Sequence, residues 1–155
     1  MDDREAFIAL APKLLRFAAV VAPMGTDPAD LVQEALARTL RVTRLGDLDD
    51  PLPYLRRAVM NLANSQRRSL RRRSSIVAQL GTPDPGRADA YPSDLDDLRR
   101  LSPDVRAVLY LHLVERRTHE ETAEILGISS EASRARLSRG LRRLRVELGT
   151  QEALP

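Results

Sequence analysis

Apolar residues recur along this chain at the three- and four-residue spacing of amphipathic helices, and no stretch of useful length alternates as a strand would. The pattern therefore predicts an all-α chain of helices joined by short turns. A first helical region over 3–22 carries Phe7, Leu10, Leu14, Leu15 and Ala18 along one side, with Pro12 as a kink or as the first residue of a new helix. Asp27 followed by Pro28 reads as an N-cap and first helical position, opening a second helix that should run to about Leu45 and stop at Gly46. A third starts near Asp50 and Pro51, or after Pro53. It continues through Tyr54, Leu55, Ala58, Val59, Leu62 and Ala63 to a basic stretch ending at Arg73.

The periodicity then fails. Residues 74–93, SSIVAQLGTPDPGRADAYPS, hold three prolines and two glycines and read as a flexible linker. Beyond it a short segment over 94–100 precedes Ser102, which caps a helix with Pro103 at its first position and Val105, Val108, Leu109 and His112 on one face. Thr118 and Glu121 have the spacing of a capping box, and Gly127 supplies the left-handed residue that ends the helix between them. Ser129 or Ser130 caps the last helix, along which Leu137, Leu141, Leu144 and Leu148 recur. Two helices around a glycine turn outline a helix-turn-helix. The expected architecture is two small helical domains, 1–74 and 94–150, joined by a linker over 75–93.

Charge changes the picture through its placement. The net charge is only +3, yet six arginines between Arg134 and Arg145 have no acid among them, and seven between Arg56 and Arg73 likewise have none. Lys13 is the only lysine. Arginine favours bidentate contact with phosphate or carboxylate, although codon bias would produce the same usage. With no cysteine there are no disulfides, thiolate metal sites or cysteine nucleophiles. The apolar run from Phe17 to Pro23 is too short to span a bilayer, so a cytoplasmic protein without membrane insertion is expected.

His112 and His119 have no partners at metal-ligand spacing and read as structural residues. Asp84, Asp89, Asp94, Asp96 and Asp97 do not form a metal loop. No phosphate-cradling glycine loop or nucleophile elbow occurs, so no enzyme chemistry, cofactor or small-molecule substrate is expected. What remains are surfaces. On the second helix Asp30, Gln33, Glu34, Ala37, Arg38 and Arg41 share a polar stripe opposite Leu31, Val32, Ala35, Leu36 and Leu40. Acid first and base last suits the helix dipole, so a solvent face and a partner surface both fit. The third helix sets Arg57, Met60, Asn61, Asn64, Arg67, Arg68 and Arg71 opposite its apolar stripe. Arginines there can neutralise phosphate, asparagines can pair with base edges, and Tyr54 can stack on an unpaired base.

Three segments, DPADLVQEALARTLR, PYLRRAVMNLANSQRRSLRRR and LSPDVRAVLYLHLVERRTHEETAEILGISSEASRARLSRGLRRLR, resemble in order and separation the extracytoplasmic-function sigma factors of bacterial RNA polymerase. The run from Asp30 to Glu34 is the most specific element. The resemblance implies that Asp30, Gln33 and Glu34 contact core RNA polymerase. It implies that Tyr54, Asn61, Asn64, Arg67 and Arg68, with the loop before them, capture and melt the minus-ten promoter element. It also implies that the last helix lies in the major groove of the minus-thirty-five element, with Ser130, Glu131, Arg134 and Ser138 nearest to bases and Arg136 and Arg139 nearest to phosphate. An anti-sigma factor is a possible further partner.

Some residues depart from the family pattern. Thr122 stands where relatives usually have isoleucine, Ala132 and Ser133 where they have Thr-Val, Glu131 where they have glycine, and Tyr54 where tryptophan is common. A buried hydroxyl without a partner costs about 1–3 kcal/mol. These departures keep two alternatives in view: a stand-alone helix-turn-helix regulator, and a sigma-like adaptor or decoy that binds a protein.

Overall fold

The computed structural model describes residues 2–79 and 100–152, and among them every regular element is helical. Three helices form the N-terminal group: α1 (Asp3–Val21), α2 (Pro28–Val42) and α3 (Pro51–Gln79), with a 3-10 turn at Leu45–Asp47 before α3. The C-terminal group is α4 (Pro103–Leu109), continued by a π-helical turn at Tyr110–Val114, then α5 (His119–Leu126) and α6 (Ser130–Glu152).

The helix boundaries follow local chemistry. Asp27 accepts the Ala29 N–H at 2.9 Å and Pro28 occupies the first position of α2. Ser102 accepts from Val105 at 3.3 Å and opens α4. Thr118 and Glu121 close the expected capping box around α5, at 3.1 and 3.3 Å, and Gly127 ends that helix at φ 68°. Ser129, rather than Ser130, caps α6 by accepting from Ala132 at 3.0 Å.

Several expected limits move. α1 passes through Pro12 as one helix. Its buried side is Ala6, Leu14, Phe17, Ala18 and Val21, whereas Leu15, expected inside, is exposed. α2 stops at Val42 instead of Leu45, because Thr43 turns extended and Leu45 folds inward. The Leu45 N–H finds the Asp3 carboxylate at 2.9 Å, and Gly46 needs no left-handed conformation. α3 runs past Arg73 to Gln79, across the expected boundary at residue 74. The rest of the linker and the segment over 94–99 lie outside the described residues, as does the Leu148 side chain.

α3 is the central element, touching α1 and α2 on one side and α4 and α5 on the other. That double coverage explains why Leu52, Leu55, Val59, Leu62 and Ala63 are buried together with Arg56 and Met60. Met60, expected on the basic face, is therefore a core residue, whereas Tyr54, expected to stack on an unpaired base, is exposed. One hydrophobic core extends from Ala6 through Ala107, Val108 and Leu111 to Ile125 and Leu126, so the two helix groups share it.

Polar contacts stitch the seam between the groups, and two of them are helix C-caps supplied from the opposite side. Arg106 of α4 donates to the carbonyls of Val21 and Ala22 at 3.3 and 3.4 Å, where α1 leaves acceptors unpaired. Arg57 of α3 donates to the Glu124 carbonyl at the end of α5, at 2.6 Å. A Cβ on Gly127 would come within 3.0 Å of the Arg57 guanidinium carbon, so this glycine serves both the turn and the seam. The buried Arg56 ion-pairs with Glu115 and lies 5.5 Å from the centre of the Phe17 ring. Asn64 donates to Asp104 at 3.0 Å.

Within the C-terminal group, α4 and α6 cross closely at Gly140, where a Cβ would fall 2.8 Å from Val105 Cγ1. The rings of His112 and His119 stack with centroids 4.5 Å apart. His112 Nδ1 bonds the Arg117 carbonyl and His119 Nδ1 bonds the buried Ser133 hydroxyl, both at 2.9 Å. Ser133 thus has its partner. Thr122 is fully buried, and its hydroxyl has no partner among the described residues.

Candidate polymerase and nucleic-acid interfaces

α2 divides cleanly by face. Leu31, Val32 and Ala35 are buried, while Asp30, Gln33 and Glu34 are exposed together on the outside. Glu34 pairs with Arg38 one turn on, at 2.8 Å, a surface contact of about 0.3–0.5 kcal/mol that an incoming partner can displace. Beside this patch Leu40 and Val42 are also exposed, so the helix presents an acidic edge next to an apolar one.

The five expected residues of α3 do not share one surface. Tyr54, Asn61 and Arg68 lie seven residues apart on one stripe and are all exposed. Asn64 and Arg67 turn toward the C-terminal group instead: Asn64 is bonded to Asp104, and Arg67 lies within electrostatic reach of Asp104 and Arg143. Desolvation, then the neighbouring Arg71, holds the Arg67 guanidinium below the usual arginine value, with Asp104 opposing. Tyr54 stands at the rim of a cleft of about 490 Å³. One wall is Leu48, Asp49, Asp50 and Pro53, and Arg117, Glu121 and Glu124 from around α5 form the other.

On α6, Glu131, Arg134 and Ser138 are exposed along one side with Arg142 and Arg145. Ser130 is half-buried and accepts from Arg134 at 3.4 Å. Arg134 also pairs with Glu120 of α5 at 3.0 Å, so its charge has an acid opposite it in space although no acid lies between Arg134 and Arg145 in sequence. Arg139 is exposed on a neighbouring stripe, and Arg136 is half-buried. The Glu121 carboxyl is held below the ordinary range, chiefly by the Thr118 backbone N–H and then by Arg117.

Sequence reasoning missed Arg56, Arg106, Asp104 and Glu115, and it placed Arg57 on the basic face without its contact to the end of α5. Their roles depend on which helix lies opposite, and helical periodicity carries no such signal. Among the described residues no group of three or more acids or histidines could hold a metal ion, and no helix is long and apolar enough to cross a membrane.

The family model for sigma-70, region 4 matches residues 98–144, which contain α4, α5 and most of α6. The RNA polymerase sigma-E factor of Streptomyces coelicolor is 34% identical over 145 residues, covering 87% of this chain and 79% of that protein. That of Streptomyces antibioticus is 34% identical over 146 residues, covering 90% and 80%. The fold matches that of the sigma factor RpoE from Bartonella quintana, solved in complex with the anti-sigma factor NepR. The TM-score is 0.65 at 22% identity, over 94% of this chain and 96% of that one. The chain therefore belongs to the extracytoplasmic-function sigma factors of RNA polymerase and directs the initiation of transcription.

Proposed function

We propose that the chain docks on core RNA polymerase through Asp30, Gln33 and Glu34, and grips promoter DNA with α3 at the minus-ten element and α6 at the minus-thirty-five element, without chemistry of its own. Residues 1–74 and 94–150 would then act as two gripping ends. The observation that carries this reading is the face of α2, where three polar residues stand exposed directly behind a buried apolar stripe. Tyr54, Asn61 and Arg68 offer stacking, base-edge and phosphate contacts on one exposed stripe of α3. Glu131, Arg134 and Ser138 offer the corresponding readout on α6, with Arg139 toward phosphate.

Bringing Asn64, which the resemblance also assigns to the minus-ten element, onto DNA requires the C-terminal group to leave α3. Asn64 is occupied by Asp104, Arg57 by the end of α5, and α5 forms a wall of the cleft beside Tyr54. The packed arrangement is thus a resting form, and polymerase, by holding α2, would stabilise the separated one. A protein regulator of the anti-sigma kind is a second reading. It is favoured by an apolar cleft of about 560 Å³ at the seam, lined by Val20, Met24, Leu109, Leu113 and Val114, and by the complex in which RpoE was solved.

The test is transcription in vitro with core enzyme and genomic templates, alongside co-elution with core enzyme. Glu34→Arg should abolish co-elution and promoter-dependent transcripts while leaving the fold intact. Co-elution and transcription unchanged in Glu34→Arg would sink the assignment of α2. Specific duplex binding without polymerase, indifferent to changes at Asp30 and Gln33, would favour a stand-alone regulator.

A further inference from the structure

Near their N-terminal ends α5 and α6 meet through two pairs of neighbouring residues. His119 bonds Ser133 at 2.9 Å in the interior, and the next residue of each helix, Glu120 and Arg134, pair at 3.0 Å on the outside. Ser133 is fully buried, so the inner contact fixes the roll of α6 against α5. The outer pair remains open to solvent, with 67% of the Glu120 side chain and 52% of the Arg134 side chain exposed. A surface ion pair of this kind adds little to stability. What it does is restrict Arg134. Arg134 Nη1 also donates to the Ser130 hydroxyl at 3.4 Å, so both terminal nitrogens are held, one from α5 and one from within α6. An arginine side chain is rich in rotamers and loses that freedom on binding. Here part of the ordering is in place before DNA arrives. The guanidinium has more N–H donors than these contacts use, so a pair remains for guanine O6 and N7.

We propose that Glu120 is a positioning residue for promoter selectivity, holding the Arg134 guanidinium from α5 so that it meets a guanine of the minus-thirty-five element. The proposal rests on the reading of α6 as the helix that enters that major groove. Near DNA the Glu120 carboxylate repels every phosphate alike, whatever the sequence. An effect through Arg134 depends instead on the base that Arg134 meets. Removing Glu120 therefore raises affinity for any duplex and lowers discrimination at one base pair, and the opposite signs separate the two effects.

The experiment is transcription by core RNA polymerase with the full chain, from a promoter identified with the genomic templates and randomised across its minus-thirty-five element, the templates used being read by sequencing. Binding of the full chain to a scrambled duplex is measured in parallel. The unaltered chain should prefer guanine by roughly tenfold at one base pair, and Arg134→Ala should erase that preference. Glu120→Ala should lower it by about threefold or more at that base pair alone, while binding the scrambled duplex more tightly. Glu120→Gln removes the charge but still accepts the hydrogen bond, so it should gain the same non-specific affinity and keep the preference. Because the pair is exposed, melting temperatures of both variants should stay within about 4 °C of the unaltered chain. A preference unchanged in Glu120→Ala, with Arg134→Ala still erasing it, would overturn the positioning role and leave α6 on its element. No base pair responding to Arg134→Ala would overturn both. A loss spread over every base pair, or equal in Glu120→Ala and Glu120→Gln, would also overturn the proposal, since Glu120 would then act through folding or charge.

Discussion

Removing the Glu115 carboxylate should unlatch the two helix groups. Arg56 is only 1% exposed, and its charge is met by Glu115 across the seam. Deleting one partner of a buried ion pair costs about 3–5 kcal/mol, because the remaining charge stays dehydrated. Glu115 keeps 20% of its side-chain exposure, which points to the lower end, about 3 kcal/mol. The molecule has an escape from that cost. If α4, α5 and α6 leave α3, the Arg56 guanidinium becomes hydrated, so Glu115→Ala should shift the balance from packed to separated by roughly a hundredfold. A compact chain of 155 residues has a radius of gyration of about 15 Å. Small-angle scattering should give a larger value for Glu115→Ala, and denaturant unfolding should lose its single transition. Combining Glu115→Ala with Arg56→Met removes the stranded charge and should restore at least half of the loss. An unchanged radius together with a coupling energy below about 0.5 kcal/mol in the double-mutant cycle would refute the latch.

Three further outcomes follow from single positions. Arg116 has a left-handed backbone at φ 55°, so Arg116→Gly should leave stability equal or raise it by up to about 1 kcal/mol, while Arg116→Val should lower it; the reverse order in thermal unfolding would show no strain there. Thr122→Val keeps the shape and removes a buried hydroxyl without a partner, so a gain of about 1–3 kcal/mol is expected in urea midpoints, and a loss would mean that the hydroxyl is satisfied. Burial, then the neighbouring His112 and Arg134, holds the His119 ring below its ordinary value of 6.5, with Glu120 opposing. The unfolded chain therefore takes up this proton first, and stability should be level above about pH 6.5 and fall as pH drops through it toward the folded value. His119→Gln should flatten that decline, and an identical decline in both proteins would assign it elsewhere.

Most of the helices were legible because their signals are local. Asp27 with Pro28, Ser102 with Pro103, and Thr118 with Glu121 and Gly127 each satisfy or end a helix with atoms a few residues away. Boundaries set by distant atoms were not legible. α2 ends early because Leu45 enters the core and finds Asp3, 42 residues away in sequence. Ser133 looked like a liability beside Thr122, yet His119 satisfies one hydroxyl and nothing described satisfies the other. Helical spacing sorts side chains into faces without saying what covers them. For that reason Asn61 and Asn64 read alike in sequence, whereas only Asn61 is exposed and Asn64 is held by Asp104.

The sequence alone determined the helical class, the helix-turn-helix, the two arginine runs and the exposed polar face of α2, since capping, periodicity and charge act over one or two helical turns. Only the tertiary structure decided that both helix groups share one core and that Arg57 caps α5 and Arg106 caps α1 from across the seam. It also turned Met60, Asn64 and Arg67 of the basic face of α3 inward. Those outcomes depend on which surface meets which, and such long-range pairing leaves no period in the chain that could announce it.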